Sequence, residues 1–237
     1  ALEMMDGLTI KAVETAMRFG YPQDAGAILL IEVDGLREET EEAATVVEKL
    51  CRGEGAREVR VAWEAAERER LWAGRKGALG ALGVLAPNYF LVDGVVPRTR
   101  LVEVLRRVGE IGARHGLRIA NVFHAGDGNL HPCILFDERA PGQTERVVQA
   151  GAEIMRLCVE AGGALTGEHG VGLDKREYMP WMFSEADMEA MCKLKAAFAP
   201  DAGELFNPGK IFPTPGGCRE IPPTPLQRGV LGPGDFV

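Results

Sequence analysis

The stretch Arg118–Phe136 constrains this chain more than any other. Two apolar runs, Arg118–His124 and His131–Phe136, flank Ala125-Gly126-Asp127-Gly128-Asn129-Leu130. Gly126, Asp127, Gly128 and Asn129 in succession favour turns over helix, because glycine and the Asx side chains suit tight backbone conformations. A hairpin of two strands accounts for the pattern better. It sets His124 at the end of one strand and His131 at the start of the next, so their rings can converge.

The flanking sequence supplies more strands and the helices to cover them. Ala27–Val33 is a short apolar run bounded by Gly26 and Asp34-Gly35, and reads as a strand. Ala43, Val46, Val47 and Leu50 then lie at helical spacing, ending near Gly53. Arg57–Trp63 alternates and predicts a second strand, followed by a charged helix over Glu64–Arg70. Phe90–Val96 reads as one strand, and Pro97 opens a helix with Leu101, Val104, Leu105, Val108 and Ile111 on one face and Gly116 as its cap. Val147, Val148, Gly151, Ile154, Met155 and Cys158 mark a further helix, closed by Gly162-Gly163. Ser184 and Asp187 have capping-box spacing before a helix carrying Met188, Met191, Leu194 and Phe198. The expected architecture is α+β, a sheet covered by helices, over residues 1–212. Residues 213–237 form a Pro/Gly-rich tail with little to bury, expected to be extended or partly disordered.

Composition narrows function. A net charge of −8 argues against a nucleic-acid footprint. No apolar run approaches the roughly 18 residues of a membrane span, and Ala1–Asp6 lacks the form of a signal peptide, so the chain reads as cytoplasmic. The five cysteines include no Cys-x-x-Cys pair, which removes a zinc ribbon or an iron–sulfur cluster within this chain. Low Asn and Gln content fits a heat-loving source or a GC-rich genome. Neither a Gly-x-Gly-x-x-Gly turn nor a phosphate loop is present, so the main binding domain for any nucleotide cofactor lies outside this sequence.

The four histidines carry the chemical signal. Three fall in two Gly-flanked segments, His124-Ala-Gly-Asp-Gly-Asn-Leu-His131-Pro132 and Thr166-Gly-Glu168-His169-Gly170. The fourth, His115, stands before Gly116 at a helix end, where capping suffices. Two imidazoles and a carboxylate make a three-ligand set for zinc or manganese, with a position left for substrate. His124, His131 and Glu168 are the candidates. Two hydrogen-bonded histidines in a turn would leave the same trace.

These segments, with Leu71-Trp72-Ala73-Gly74-Arg75-Lys76, Asp93-Gly94-Val95-Val96-Pro97-Arg98 and Phe206-Asn207-Pro208-Gly209-Lys210, resemble in order the C-terminal domain of FAD-linked oxidases of the vanillyl-alcohol oxidase superfamily. The similarity is to glycolate oxidase flavoprotein subunits above all, and it runs over about residues 1–215. It implies a ferredoxin-like α+β cap whose antiparallel sheet faces a flavin. FAD itself would be held mainly by an N-terminal domain or subunit that nothing here resembles. Divalent metal at His124, His131 and Glu168 is likewise implied, as is His169 as the base in oxidation of a small 2-hydroxy acid. Arg75 matches the arginine that binds the substrate carboxylate, and Asn129 is either a second substrate contact or a residue that stabilises its turn. Asp127 is a supporting or turn residue, while Asn207 and Lys210 approach the flavin. An iron–sulfur subunit of a glycolate oxidase complex is an implied partner, and through partners a peripheral membrane location. D-lactate dehydrogenase and a catalytically silent cap are the alternatives. Dicarboxylate-specific relatives carry a lysine where this chain has Leu91, so a monocarboxylate such as glycolate or D-lactate is expected.

Overall fold

The computed structural model describes residues 1–198 and 206–213. Strand β1 (Leu2–Asp6) leads into helix α1 (Gly7–Ala16), whose first turn is capped by the Asp6 carboxylate accepting from the Thr9 N–H at 2.8 Å. Strand β2 (Ala27–Ile31) returns antiparallel along β1. Helices α2 (Arg37–Gly53), α3 (Ala65–Lys76) and the one-turn α4 (Ala78–Ala81) follow. Strands β3 (Asn88–Leu91) and β4 (Gly94–Val95) precede α5 (Leu101–His115), which stops at Gly116 in the left-handed region, φ 64°. The chain continues through β5 (Arg118–Phe123), β6 (Asn129–Leu130), β7 (Pro132–Phe136), α6 (Gln143–Glu160) and α7 (Glu185–Phe198).

Five strands form one antiparallel sheet in the order β2-β1-β5-β7-β3, and β4 pairs with β6 as a separate ribbon. Alternation along each strand splits the core into two layers. On β7, Ile134 and Phe136 join Val104, Val108 and Ile111 of α5 and Val147, Ile154 and Cys158 of α6. Cys133 and Leu135 point the other way, onto Ile10 and Val13 of α1 and Ala78 and Ala81 of α4. All five β7 residues are therefore buried, as a strand covered on both faces requires. Burial of this apolar surface, at about 25 cal/mol per Å², is the term that holds the helices to the sheet.

The expected hairpin forms, with Arg118 opposite Leu135 and Asn121 opposite Pro132. Ser184 and Asp187 make the expected reciprocal capping box ahead of α7, at 2.9 and 3.2 Å. Two strand expectations need correction. Arg57–Trp63 is no strand: its alternating Val61 and Trp63 are exposed, at 39 % and 53 %, and Arg57 and Arg60 pair instead with Asp24 and Glu58. Phe90–Val96 is not one strand but two, because the chain breaks at Val92-Asp93 and Gly94-Val95 change partner from β7 to β6. Strand β1 and helix α1, which no apolar run announced, occupy an interior position of the sheet and one of its faces. The anticipated tail, from residue 214 onward, lies outside the described residues. No helix among the described residues is long and apolar enough to cross a membrane.

Candidate metal centre

The β4–β6 ribbon gathers three separate segments. Val96 N–H donates to Gly128 O at 2.9 Å, which holds the Asp93–Val96 segment against the turn of the hairpin. Gly128 is needed there twice over: its φ is +74°, and a Cβ on it would collide with the Val96 carbonyl. On its other side Val95 bridges to Ala164, bringing up Thr166–Gly170. The turn closes by reciprocal bonds between His124 and Asn129, with the Asp127 N–H also donating to His124 O at 3.2 Å.

Asp93, fully buried, fixes the third segment. Its carboxylate accepts from the Thr166 hydroxyl at 2.6 Å and from the N–H groups of Gly167, Glu168 and His169 at 3.1–3.2 Å. Lys175 Nζ donates to it at 3.0 Å and to the Asp93 carbonyl at 2.9 Å. Burial opposes ionisation of Asp93, but His131, Thr166 and Lys175 beside it more than compensate and hold its carboxyl well below the usual carboxylate range. The same burial lowers Lys175 despite its partner.

On this frame the predicted ligands converge. Glu168 Oε1 lies 3.2 Å from His131 Nε2 and 3.4 Å from His124 Nε2. The His124 and His131 rings meet edge to face, with centroids 5.3 Å apart. Metal–ligand bonds of about 2.0–2.1 Å in a tetrahedral site put neighbouring ligand atoms about 3.3 Å apart, which the two Glu168 distances match, and all three ligand atoms lie within 4.8 Å of one another. His131 Nε2 is buried and makes no hydrogen bond: Asp93 Oδ1 is too far away at 3.6 Å, and Glu168 Oε1 at 3.2 Å lies off the direction such a bond needs. An orphaned buried nitrogen costs about 1–3 kcal/mol, and a cation is one partner that would satisfy it. His169 stacks on His131 at 5.0 Å, with its Nε2 3.8 Å from Glu168 Oε1 and about half of its side chain exposed.

The remaining candidates divide. Asn129 is buried beneath Gly167, where a Cβ would strike its carboxamide, and its Oδ1 has no partner. Arg75, in the last turn of α3, reaches the cluster through a residue that sequence reasoning missed. Its Nε and Nη2 lie 2.9 and 2.8 Å from Glu3 Oε2, and Glu3 Oε1 lies 2.7 Å from His124 Nδ1. Asn207 and Lys210 lie on an exposed turn where Lys210 Nζ meets Asn207 Oδ1 at 3.5 Å and Ile211 N–H donates to Gly172 O at 2.8 Å, and neither hydrogen-bonds to a histidine. Asp93 had one visible signal, an Asp-Gly pair interrupting an apolar run. Glu3 had none.

Known proteins are similar to this chain in sequence. The family model described as FAD linked oxidases, C-terminal domain, matches residues 1–211. Glycolate oxidase subunit GlcD of Escherichia coli K12 is 45% identical over 97% of this chain and 46% of its own length. GlcD of Bacillus subtilis is 39% identical over 89% of this chain and 44% of its own length. The mitochondrial cytochrome-type D-lactate dehydrogenase of Arabidopsis thaliana is 28% identical over 90% and 37%, respectively. The chain thus spans under half the length of these relatives. A 4-ethylphenol oxidase from Gulosibacter chungangensis superimposes with a TM-score of 0.59 at 12% identity, covering 93% of this chain and 48% of that one, a likeness of fold alone.

Proposed function

The chain belongs to the FAD linked oxidases, as their C-terminal domain, and from that premise we propose that it is the substrate- and metal-binding half of a flavin-dependent 2-hydroxy-acid dehydrogenase acting on glycolate or D-lactate. The observation that carries this reading is the meeting of His124, His131 and Glu168 around a buried, unpartnered His131 Nε2. GlcD and D-lactate dehydrogenase relatives keep both substrates in play. The run β3-α5-β5-β7-α6, with its strands in the order β5-β7-β3, supports reading the cap as ferredoxin-like. The FAD-binding domain, an iron–sulfur partner and a cytoplasmic site of action belong to the same proposal.

His124, His131 and Glu168 would hold zinc or manganese, a Lewis acid that lowers the pKa of a substrate hydroxyl. FAD would be held mainly by the other half, with Asn207 and Lys210 of this chain turned toward it, and would supply the hydride acceptor. Within this chain, Arg75 keeps its Nη1 side for the substrate carboxylate while its other edge rests on Glu3. Asn129 offers its carboxamide beside the cluster. His169 would accept the hydroxyl proton, a reading supported by its half-exposed ring beside Glu168.

The test uses the chain reconstituted with the FAD-binding half, following flavin reduction by glycolate and by D-lactate. His169→Ala is expected to lower the rate by about 10²–10⁴. Arg75→Ala is expected instead to raise KM by roughly ten- to a hundredfold, the loss of one charge-assisted contact. A wild-type reduction rate in His169→Ala would remove the base assignment.

A further inference from the structure

Glu3 sits where its chemistry leaves one choice. Alternation along β1 puts Glu3 and Met5 on the same face, with Leu2 and Met4 on the other. Glu3 is 8 % exposed and divides its two oxygens between Arg75 and His124. A guanidinium has donors only, and a carboxylate has acceptors only. With Glu3 Oε1 2.7 Å from His124 Nδ1, the neutral ring must carry its proton on Nδ1. Its Nε2 then keeps a lone pair, and that atom is the one 3.4 Å from Glu168.

We propose that Glu3 is a positioning residue that locks His124 in the tautomer able to ligate metal through Nε2, with Arg75 holding the Glu3 carboxylate in place. This rests on the metal reading of the cluster and extends it to a residue 121 positions away in sequence. It also gives Arg75 a role toward the metal in addition to any toward substrate.

Glutamine at this position makes the logic testable. A carboxamide has one acceptor oxygen, and Arg75 takes it because Arg75 has nothing to accept with. The NH2 group of Gln is then turned to His124 Nδ1, which must accept, and the ring proton moves to Nε2. Glu3→Gln is therefore expected to weaken Zn²⁺ binding about 10–100-fold, the usual range for losing such a partner. Adding Arg75→Ala frees the glutamine oxygen to face His124, so the double variant is expected to bind Zn²⁺ more tightly than Glu3→Gln. A merely structural role predicts the opposite order.

The experiment measures Zn²⁺ affinity of the full chain by competition with a chromophoric chelator. In parallel, ¹⁵N-resolved histidine spectra of the metal-free protein report the tautomer. The expected results are Nδ1-protonated His124 in wild type, Nε2-protonated His124 in Glu3→Gln, and partial recovery of affinity in the double variant. Wild-type affinity in Glu3→Gln, a double variant weaker than the single, or an Nε2-protonated ring in wild type would each overturn the proposal. The wild-type spectrum decides it even where a variant does not fold. Wild type that binds no Zn²⁺ sinks the metal reading, while the spectrum still tests the Glu3–His124 bond by itself.

Discussion

Two buried carboxylates flank the histidine cluster, and they work on different parts of the chain. Asp93 spends its oxygens mainly on backbone, three consecutive N–H groups, and adds the Thr166 hydroxyl and the Lys175 ammonium. Glu3 spends its oxygens on side chains, one on a guanidinium and one on an imidazole. Asp93 thus fixes where Glu168 and His169 emerge from the main chain, whereas Glu3 fixes how one ring is turned and protonated. Damage to the first should appear as lost stability and a loosened loop. Damage to the second should appear as lost metal affinity in a folded protein.

The largest expected effect follows from Asp93→Asn. Asparagine keeps the size but has one acceptor oxygen for donors that occupied two, and it leaves Lys175 as a buried cation without its counter-ion. Breaking a buried pair in this way costs about 3–5 kcal/mol. Urea unfolding should show a loss of that size, and hydrogen exchange at Gly167–His169 should accelerate. A loss below about 1 kcal/mol would mean that the loop is held by something other than Asp93, and the contrast with Glu3 would collapse.

A smaller effect sharpens the comparison further, because one buried thiol lies beside Asp93 and another on the side of Arg75, the partner of Glu3. Cys158 underlies Gly94 next to Asp93, and Cys133 lies in β7 on the side of Arg75. Burial pushes both thiols up to about 12. Since the folded state keeps these protons to higher pH than the unfolded chain, their contribution to stability is complete below about pH 8.5 and is lost as pH rises toward 12. At pH 8, Cys133 and Cys158 should resist alkylation while the partly exposed Cys51 reacts. In Asp93→Asn, Cys158 should become reactive ahead of Cys133. Mass-spectrometric labelling of the three sites would show this, and equal gains at Cys133 and Cys158 would indicate general loosening instead.

What the sequence disclosed and what it concealed divide along the same line. The hairpin was legible because Gly126, Asp127, Gly128 and Asn129 forbid most alternatives locally, and the pairing of β5 with β7 follows from them. The glycine-flanked Thr166–Gly170 segment was legible for a similar reason. Arg57–Trp63 misled because alternation marks a strand only where a neighbour is available to pair, and this segment lies exposed, its arginines spent on ion pairs. Phe90–Val96 misled because a buried Asp93 turns the chain toward the loop it anchors, and local hydrophobicity does not register that contact across 73–76 residues. Glu3 was invisible for the same physical reason. Its partners are 72 and 121 residues away, and in Leu2–Asp6 it reads as an ordinary charged residue.

Metal content of the full chain tests the central claim most directly. Wild type and His131→Ala would be loaded with Zn²⁺ or Mn²⁺, dialysed together and analysed for bound metal, with circular dichroism confirming that both are folded. The ligand set predicts about one equivalent in wild type, as expected for a three-ligand protein site, and a loss of nearly all of it in His131→Ala. Equal metal in the two folded proteins would contradict the assignment of His124, His131 and Glu168 as a metal centre.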